Sequence, residues 1–210
     1  MDIHDHHTLE QRRSASLAPL PFGSMHDAQV APGPFDGAWI LRLEHREDHE
    51  RPGSSFREVW RADVLHRADL PAFEPIQWNV AVSPHGTLRG IHAEPWHKMV
   101  HVIDGEVFAA IVDLRASSPT AGEVWTVALD PSVAVLIGPG LGNSYQVTGS
   151  RAVYAYLVDG RWDGTVTYPA VRWDDPDLAI DWPITDERLA ISTKDRANPS
   201  LKDHWRSGSA

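Results

Sequence analysis

The stretch Leu88–Val112 reads LRGIHAEPWHKMVHVIDGEVFAAIV, and it contains the pattern that decides the fold. Two apolar runs, Met99–Ile103 and Val107–Val112, are separated by the dipeptide Asp104-Gly105. Asp-Gly between runs rich in β-branched residues is a strong signal for a hairpin turn. The sequence therefore predicts two strands paired as a hairpin, with the polar residues before them on or beside strands.

Two cations and a histidine precede the predicted hairpin: Arg89, His92 and Lys98. Histidine is the side chain best suited to accept a proton near neutral pH. Fixed cations beside it favour a substrate that is anionic or that becomes anionic in the transition state. A lone histidine on a strand is also a common solvent-facing or hydrogen-bonded residue, so the local pattern leaves a catalytic and a structural interpretation open.

Short β-rich runs separated by Pro- and Gly-containing turns continue through most of the chain. The predicted strands outside the opening stretch are Ala38–Leu43, Ser55–Val64, Ile76–Val82, Val124–Leu129, Val133–Ile137, Tyr145–Val147 and Val153–Val158. Many short strands without βαβ alternation favour a sandwich, a jelly roll or a barrel. Residues 1–36 lack a sustained period and predict a flexible N-terminal extension, while residues 37–205 predict one domain with an Asp/Pro-rich tail after Trp173.

Composition excludes several classes of function. The chain has 210 residues and no cysteine, which excludes disulfides, thiolate metal sites and thiol catalysis. No apolar run approaches the roughly 20 residues of a membrane span, and the N-terminus lacks the pattern of a signal peptide, so we expect a cytoplasmic protein. The net charge of −10 argues against nucleic-acid or membrane partners. It leaves room for a local basic pocket that binds a phosphate-bearing ligand.

Nucleotide-binding and hydrolase motifs such as GxGxxG, the P-loop, GxSxG and HExxH are absent from the sequence. The residues His92, Glu94, His97 and His101 are close together but lack the His-x-His spacing of a metal-binding jelly roll. Asn143 stands where such a site would have its later histidine, and an amide oxygen is a poor ligand for Zn or Fe. The sequence therefore predicts a site without a metal or another cofactor.

Six motifs together resemble the dTDP-4-dehydrorhamnose 3,5-epimerase family over about three quarters of the chain. They are LRGIH, HKMVHVIDGEVFAAIVDLRASSPTAGEVW, IGPGLGNSYQV, VYAYLVDG, VRWDDPDLAIDWP and ISTKD. The resemblance implies an all-β, cupin-type jelly-roll barrel with a short C-terminal helical tail. It also implies a dTDP-linked sugar as substrate, no metal, and a homodimer in which an N-terminal strand crosses to the partner.

The resemblance assigns roles by position in these motifs. His92 matches the family's catalytic base, and Asp195 matches the carboxylate that orients it. Tyr156 matches the proton donor on the opposite face of the sugar, and Lys98 matches the lysine near the 4-keto oxygen. These roles suit the chemistry, because removing a hydrogen next to a ketone creates an enolate that needs a base, a cation and a proton donor.

Further positions match residues that bind the substrate. Arg89 matches a cation for the diphosphate or the sugar, and Gln77 and Asn79 match the polar strand that faces the sugar. Glu58 and Arg51 match residues that reach the nucleotide, often across the dimer, although their alignment needs an insertion.

The chain departs from the family pattern around the expected pocket. Asn143 replaces an active-site histidine, a shorter loop carries Trp96, and Trp78 replaces an aspartate. Val80-Ala81 replaces a polar pair, and Arg161-Trp162 replaces an aromatic pair, which places Trp162 among the predicted substrate-binding residues. Because the base, its orienting carboxylate and the donor are retained, the departures predict an altered substrate or altered regiochemistry at C3 or C5.

These observations predict an epimerase for a nucleotide-linked 4-keto-6-deoxyhexose in deoxysugar biosynthesis. Two alternatives stay open at this point. The same barrel with different acid–base chemistry would be a dehydratase, a ketoisomerase or a cyclase of natural-product biosynthesis. A non-enzymatic protein that binds sugar nucleotides would have no use for a base and an opposed donor.

Overall fold

The computed structural model describes residues 29–47, 50–63 and 70–207. The strands are β1 Gln29–Pro32, β2 Ala38–Arg42, β3 Glu44–Glu47, β4 Ser55–Glu58, β5 Gln77–Pro84, β6 Thr87–His92, β7 Lys98–Asp113, β8 Val124–Leu129, β9 Val133–Ile137, β10 Leu141–Val158 and β11 Ala190–Ile191. The C-terminal helices are α1 Thr193–Arg196 and α2 Leu201–Ser207. The predicted fold class, all-β with a short helical tail, is confirmed. Within these ranges, no helix is long and apolar enough to cross a membrane.

The two longest strands, β7 and β10, lie side by side in the middle of the sheet. They pair antiparallel along almost their whole length, from Leu141 opposite Asp113 to Val158 opposite Lys98. Wall 1 consists of β1, β2, β9, residues 98–103 of β7, residues 152–158 of β10, and β5. Wall 2 consists of β8, residues 107–113 of β7, residues 141–147 of β10, β6 and β11. The long strands therefore belong to both walls, and the sheet folds over where they bend.

The hairpin predicted at Asp104-Gly105 is wrong, because this dipeptide lies inside β7. The two apolar runs do not pair with each other. The first pairs with β9 and the second with β8, and both pair with β10. Gly105 adopts a φ of +90°, and a Cβ there would overlap the carbonyl oxygen of Arg151. Glycine thus permits the bend between the walls. The break predicted between the strands Tyr145–Val147 and Val153–Val158 is likewise wrong, because the intervening Thr148-Gly149 lies within β10.

The bend also changes which alternate positions of β7 face the interior. Val100 and Val102 face the barrel interior before it, and Val107 and Ala109 face the same interior after it. The change from even to odd positions requires one extra residue, which is what a β-bulge inserts. All four side chains are fully buried. Each fully buried valine contributes roughly 1.5–3 kcal/mol to stability. Because the side chains before and after the bend belong to one cluster, the two walls share one continuous core.

The strand bounds agree best with the sequence where both ends carry turn residues. β8 and β9 match the predicted strands at both ends. The strand predicted over Ser55–Val64 is only Ser55–Glu58, and it pairs with β3 in a separate two-stranded ribbon that the sequence pattern did not predict. β1 lies within the predicted extension 1–36 and pairs with β2. Residues 1–28 of that extension lie outside the described residues.

The C-terminal segment returns across wall 2. The Trp182 indole donates a hydrogen bond to the carbonyl of Trp173 at 2.8 Å. The buried Gln146 side chain accepts from the backbone N–H of Ile184 at 2.9 Å and donates to its carbonyl at 2.7 Å. β11 then pairs parallel with β6 and leads directly into α1. These contacts bring Asp195, in α1, next to the strand that carries His92.

Candidate active site

Alternation along the strands of wall 1 directs several polar side chains towards the barrel interior. On β5, Asn79 faces the interior while Trp78 and Val80 on either side of it are exposed. On the other strands, Lys98 and Tyr156 share the interior face with the buried core valines. The result is a cavity of about 240 Å³ lined by side chains of β5, β6, β7 and β10 and of the loops that follow them.

A histidine–carboxylate pair lies at one side of this cavity. Nε2 of His92 is 2.8 Å from Oδ1 of Asp195, and the two side chains are 21% and 6% exposed. Ser192 caps the N-terminus of α1, and its hydroxyl accepts a hydrogen bond from the backbone N–H of Asp195. Burial acts to raise the pKa of Asp195, but hydrogen bonds from His92, Ser192 and the backbone of Gly90 outweigh it and lower the pKa. An ionised carboxylate accepts the Nε2 hydrogen, which leaves the lone pair of Nδ1 to accept a proton.

Gly90 allows β6 to approach β10 closely at this point. Its φ is +115°, and a Cβ there would lie 2.6 Å from the carbonyl oxygen of Asn143. The hydroxyl of Ser144 also donates to the carbonyl of Arg89 at 2.8 Å. The glycine between the arginine and the histidine of the LRGIH motif therefore sets the position of His92, and its backbone is one of the groups that lower the pKa of Asp195.

A buried ion pair also lines the cavity. Nζ of Lys98 donates to Oε1 of Glu94 at 2.6 Å, and the side chains are 6% and 9% exposed. The same ammonium lies 4.3 Å from the centroid of the Tyr156 ring, a cation–π contact. A fixed ammonium beside a phenol can stabilise a developing oxyanion while the phenol donates a proton.

Tyr156 remains protonated in its surroundings. Burial raises the pKa of Tyr156, the charge of Glu94 and the neighbouring Tyr145 raise it further, and Arg89 opposes them. His92 reaches the cavity from wall 2, whereas Tyr156 reaches it from the part of β10 that belongs to wall 1. A base and a protonated phenol thus approach one cavity from different walls.

Tyrosines form the floor of the cavity. Tyr154 is fully buried and donates its hydroxyl to Oδ1 of Asn143 at 3.1 Å, and it stacks on Tyr145 with ring centroids 4.0 Å apart. The hydroxyl of Tyr145 lies 3.3 Å from Oγ of Ser83. Since Oδ1 of Asn143 accepts from Tyr154, the amide nitrogen of Asn143 is the end that is available to a ligand.

Aromatic rings form the rim. Tyr168 contacts the edge of the His92 ring at a centroid distance of 5.8 Å, and burial followed by the charge of Glu94 raises the pKa of Tyr168 to about 12. Trp96 contacts Tyr168 at 6.4 Å and lies against Gly160, where a Cβ would overlap the indole. The rim therefore limits the ring size and the orientation of a ligand that enters beside His92.

The structure brings most of the predicted substrate-binding residues together. Arg89, Asn79, Asn143 and Trp162 line the cavity. Gln77 lies behind this lining, where it donates to Oδ1 of Asn79 at 2.9 Å and accepts from the backbone N–H of Trp162 at 3.0 Å.

Glu58 and Arg51 do not line the cavity. Glu58 pairs with Arg61 at 3.3 Å, and Arg51 is exposed in the turn before β4. Their contact with a nucleotide stays a prediction.

Sequence pattern assigned no catalytic or binding role to Glu94, Tyr145, Tyr154 and Tyr168, although all four line the cavity. The period of two on β10 places Tyr154 on the same face as Tyr156, so this signal was present. Tyr168 lies outside the strands and reaches the cavity only because the backbone on either side of Ala170 bonds to Ile91 and Ala93. No local pattern predicts that contact.

A base held by a carboxylate, an ammonium and a protonated phenol around one cavity define an acid–base enzyme for substrates with an acidic hydrogen next to a carbonyl. Comparison with known proteins identifies the family within this class of enzymes. The profile of the family described as dTDP-4-dehydrorhamnose 3,5-epimerase matches residues 33–203. The chain belongs to this family, which confirms the predicted membership and, with it, the isomerase class.

Relatives and solved structures agree with this assignment. The chain is 34% identical to dTDP-4-dehydrorhamnose 3,5-epimerase of Methanothermobacter thermautotrophicus over 81% of this chain and 92% of that one. It is 34% identical to dTDP-4-dehydrorhamnose 3-epimerase of Streptomyces niveus over 74% of this chain and 76% of that one. The crystal structure of NovW, a 4-keto-6-deoxy sugar epimerase from the novobiocin gene cluster of Streptomyces spheroides, superposes with a TM-score of 0.79 at 31% identity, covering 90% of this chain and 94% of NovW. The predicted cupin-type jelly-roll fold is confirmed.

Proposed function

We propose that the protein is an epimerase that inverts C3, C5 or both in a nucleotide-linked 4-keto-6-deoxyhexose. The observation that carries this proposal is the shared cavity, in which the His92–Asp195 pair, Lys98 and Tyr156 all have access to one ligand. A protein that only binds a sugar nucleotide has no need for a base with its own buried carboxylate.

The reaction begins with transfer of a proton from the carbon next to the ketone to Nδ1 of His92. The C–H bond electrons form the enolate double bond, and the negative charge moves to the 4-oxygen, where Lys98 stabilises it. Asp195 stabilises the imidazolium that forms. Tyr156 then donates its proton to the opposite face of the same carbon, the ketone re-forms, and the configuration is inverted. Solvent returns a proton to Tyr156 and takes one from His92, so the sugar keeps its formula.

A dTDP-linked substrate is supported by relatives whose solved structures contain such ligands. ChmJ, a 3'-monoepimerase of Streptomyces bikiniensis, was crystallised with dTDP-quinovose and superposes with a TM-score of 0.77 at 31% identity, covering 84% of this chain and 90% of ChmJ. In this chain, Arg89 lies in the cavity and provides a positive charge for a diphosphate. Glu58 and Arg51 are the further candidates for nucleotide contacts.

Altered regiochemistry is supported by the hydrogen bond between Tyr154 and Asn143. An amide cannot take up a proton as a histidine does, and Tyr154 fixes its orientation. Asn143 therefore acts as a neutral hydrogen-bond donor to the sugar. One base and one donor with a fixed ring orientation favour inversion at a single carbon, as in deoxysugar branches of natural-product biosynthesis.

A homodimer is supported by the outer face of β5. Among the described strands, β5 pairs only with β10. Ile76, just before β5, and the outward side chains Trp78, Val80 and Val82 are 66%, 60%, 50% and 65% exposed. An apolar stripe on an edge strand is costly to leave in water, and a second copy of the chain would cover it. Sedimentation equilibrium is expected to show a dimer that Val80→Glu dissociates, and a monomeric wild type would contradict this. A cytoplasmic location remains a prediction from the sequence.

The test of the proposed reaction is incubation of the protein with dTDP-4-keto-6-deoxyglucose in deuterated water. Proton NMR is expected to show loss of the C3 or C5 signal and the appearance of an epimer. The pattern of exchange assigns the carbon. A panel of 4-keto sugars with dTDP and UDP then ranks sugar and nucleotide by kcat/KM. Absence of exchange at both carbons with every member of the panel would overturn the proposal. Loss of water or movement of the carbonyl would favour the dehydratase or ketoisomerase alternative.

A further inference from the structure

Glu94 is a buried acid in the cavity that the mechanism above does not use. Its Oε1 accepts from Nζ of Lys98, and its side chain is only 9% exposed. The residue lies in the short loop between β6 and β7, where its carbonyl accepts from the backbone N–H of Gly140 at 3.3 Å. Its position is therefore fixed by both its backbone and its side chain.

The cavity thus contains two pairs of side chains in which a carboxylate holds a nitrogen-bearing group. His92 is held by Asp195, and Lys98 is held by Glu94, each through a hydrogen bond below 3 Å. A lysine ammonium on a flexible stem is a mobile point charge, and it is costly to bury without an anion. Glu94 both compensates this charge and restricts it to one place, 4.3 Å from the Tyr156 ring.

We propose that Glu94 is a positioning residue that holds Lys98 over Tyr156 and so aligns the enolate-stabilising cation with the proton donor. This inference rests on the proposed epimerase function. Glu94 acts through Lys98 and does not itself transfer a proton. The pair explains how a chain with a short, rebuilt loop before β7 still delivers a lysine to the ketone.

The charge of Glu94 has a second consequence that an assay can measure. It is one of the causes that raise the pKa of Tyr156, after burial. Removing it lowers the pKa of Tyr156, so the alkaline decline in rate moves to lower pH. The charged and titratable groups around Tyr156 are Glu94, Lys98, Arg89, Tyr145, Tyr154 and Tyr168. Of the acids in this set, the described contacts give only Glu94 a direct bond to Lys98.

The test compares Glu94→Gln with Glu106→Gln, in which an exposed glutamate of β7 loses its charge away from the cavity. We expect Glu94→Gln to lower kcat by about 10- to 100-fold, because the amide oxygen can still accept from Lys98 but the charge that holds the ammonium in place is lost. KM should change by less than about threefold, since a positioning role is expressed mainly in the transition state. The alkaline limb of the kcat profile should shift to lower pH. Glu106→Gln should match the wild type in all three.

Two further variants separate positioning from a purely structural role. In the Lys98→Met background, adding Glu94→Gln should cause no further loss of kcat, because the two residues act as a unit. Glu94→Asp keeps the charge and should restore the alkaline limb while recovering only part of kcat; it also serves if Glu94→Gln fails to fold.

The outcomes distinguish this inference from the proposed function. Absence of exchange by the wild type overturns the proposed function itself. Exchange by the wild type together with an unchanged Glu94→Gln, or additive losses in the double variant, overturns the positioning role alone.

Discussion

Replacing Asp195 with asparagine removes the charge that holds His92 and keeps a side chain of the same shape. The carboxylate accepts a hydrogen bond from Nε2 at 2.8 Å and its side chain is 6% exposed, so water does not screen the pair strongly. An asparagine can turn its amide nitrogen towards Nε2. His92 would then carry its hydrogen on Nδ1, and the lone pair that accepts the substrate proton would be lost.

The size of the effect follows from these two losses. A buried hydrogen bond to a charged group is worth about 1.5–3 kcal/mol, which corresponds to about 10- to 150-fold in rate. In serine protease triads, the wrong imidazole tautomer after the same substitution lowers kcat by about 10⁴-fold. We therefore expect Asp195→Asn to lower kcat by about 10²- to 10⁴-fold, with KM within about threefold of the wild type.

The assay is the rate of deuterium uptake at the exchanging carbon, measured by NMR alongside the exposed Asp181→Asn as a control. The lowered pKa of Asp195 adds a stability signature. Its ionised form stabilises the fold above its unfolded pKa of about 4, and this contribution is lost as the pH falls through the lower folded pKa. Asp195→Asn should therefore be less stable than the wild type at pH 7 and closer to it at pH 3. A folded Asp195→Asn enzyme with a kcat within threefold of the wild type would refute the role of the pair.

Three further outcomes are expected. Tyr156→Phe should slow epimerisation by about 10²-fold or more while exchange falls less than about tenfold; equal losses of both would contradict a donor opposite the base. Burial and a nearby arginine lower the pKa of His101 to about 4, so its neutral form stabilises the fold above about pH 6.5 and this is lost towards pH 4. Between pH 7 and pH 5, the wild type should lose about 2 kcal/mol more than His101→Leu in urea unfolding, and parallel profiles would refute this. Gly160→Ala should displace Trp96 and raise KM about threefold to tenfold, whereas Gly149→Ala, whose Cβ would have ordinary contacts, should not; equal KM values would contradict the rim's role.

The sequence predicted the class of the fold and the bounds of β8 and β9, because these depend on local alternation between turn residues. It failed at Asp104-Gly105 because a hairpin turn and a bend within one long strand have the same local signal. The choice is made by β10, in which Val153 and Ala152 lie far along the chain from their partners Asp104 and Gly105. No period in residues 98–113 contains that information.

The residues of the site likewise divide into those that a local pattern or motif predicts and those placed by distant contacts. His92, Lys98 and Tyr156 lie on strands whose pattern and motifs are readable from the sequence. Asp195 is separated from His92 by 103 residues, and only the family resemblance linked them before the structure showed the 2.8 Å bond. Glu94 lies in a loop where side-chain direction follows from contacts with distant segments, so no spacing rule predicted its bond to Lys98.

The most direct test of the account is the rate of deuterium incorporation next to the ketone by His92→Asn against the wild type, at saturating substrate in deuterated water. Both proteins should be folded and should bind dTDP equally well. The wild type is expected to incorporate deuterium at C3 or C5, and His92→Asn is expected to do so at a rate at least about 10²-fold lower. Equal rates in the two proteins would show that another group removes the proton.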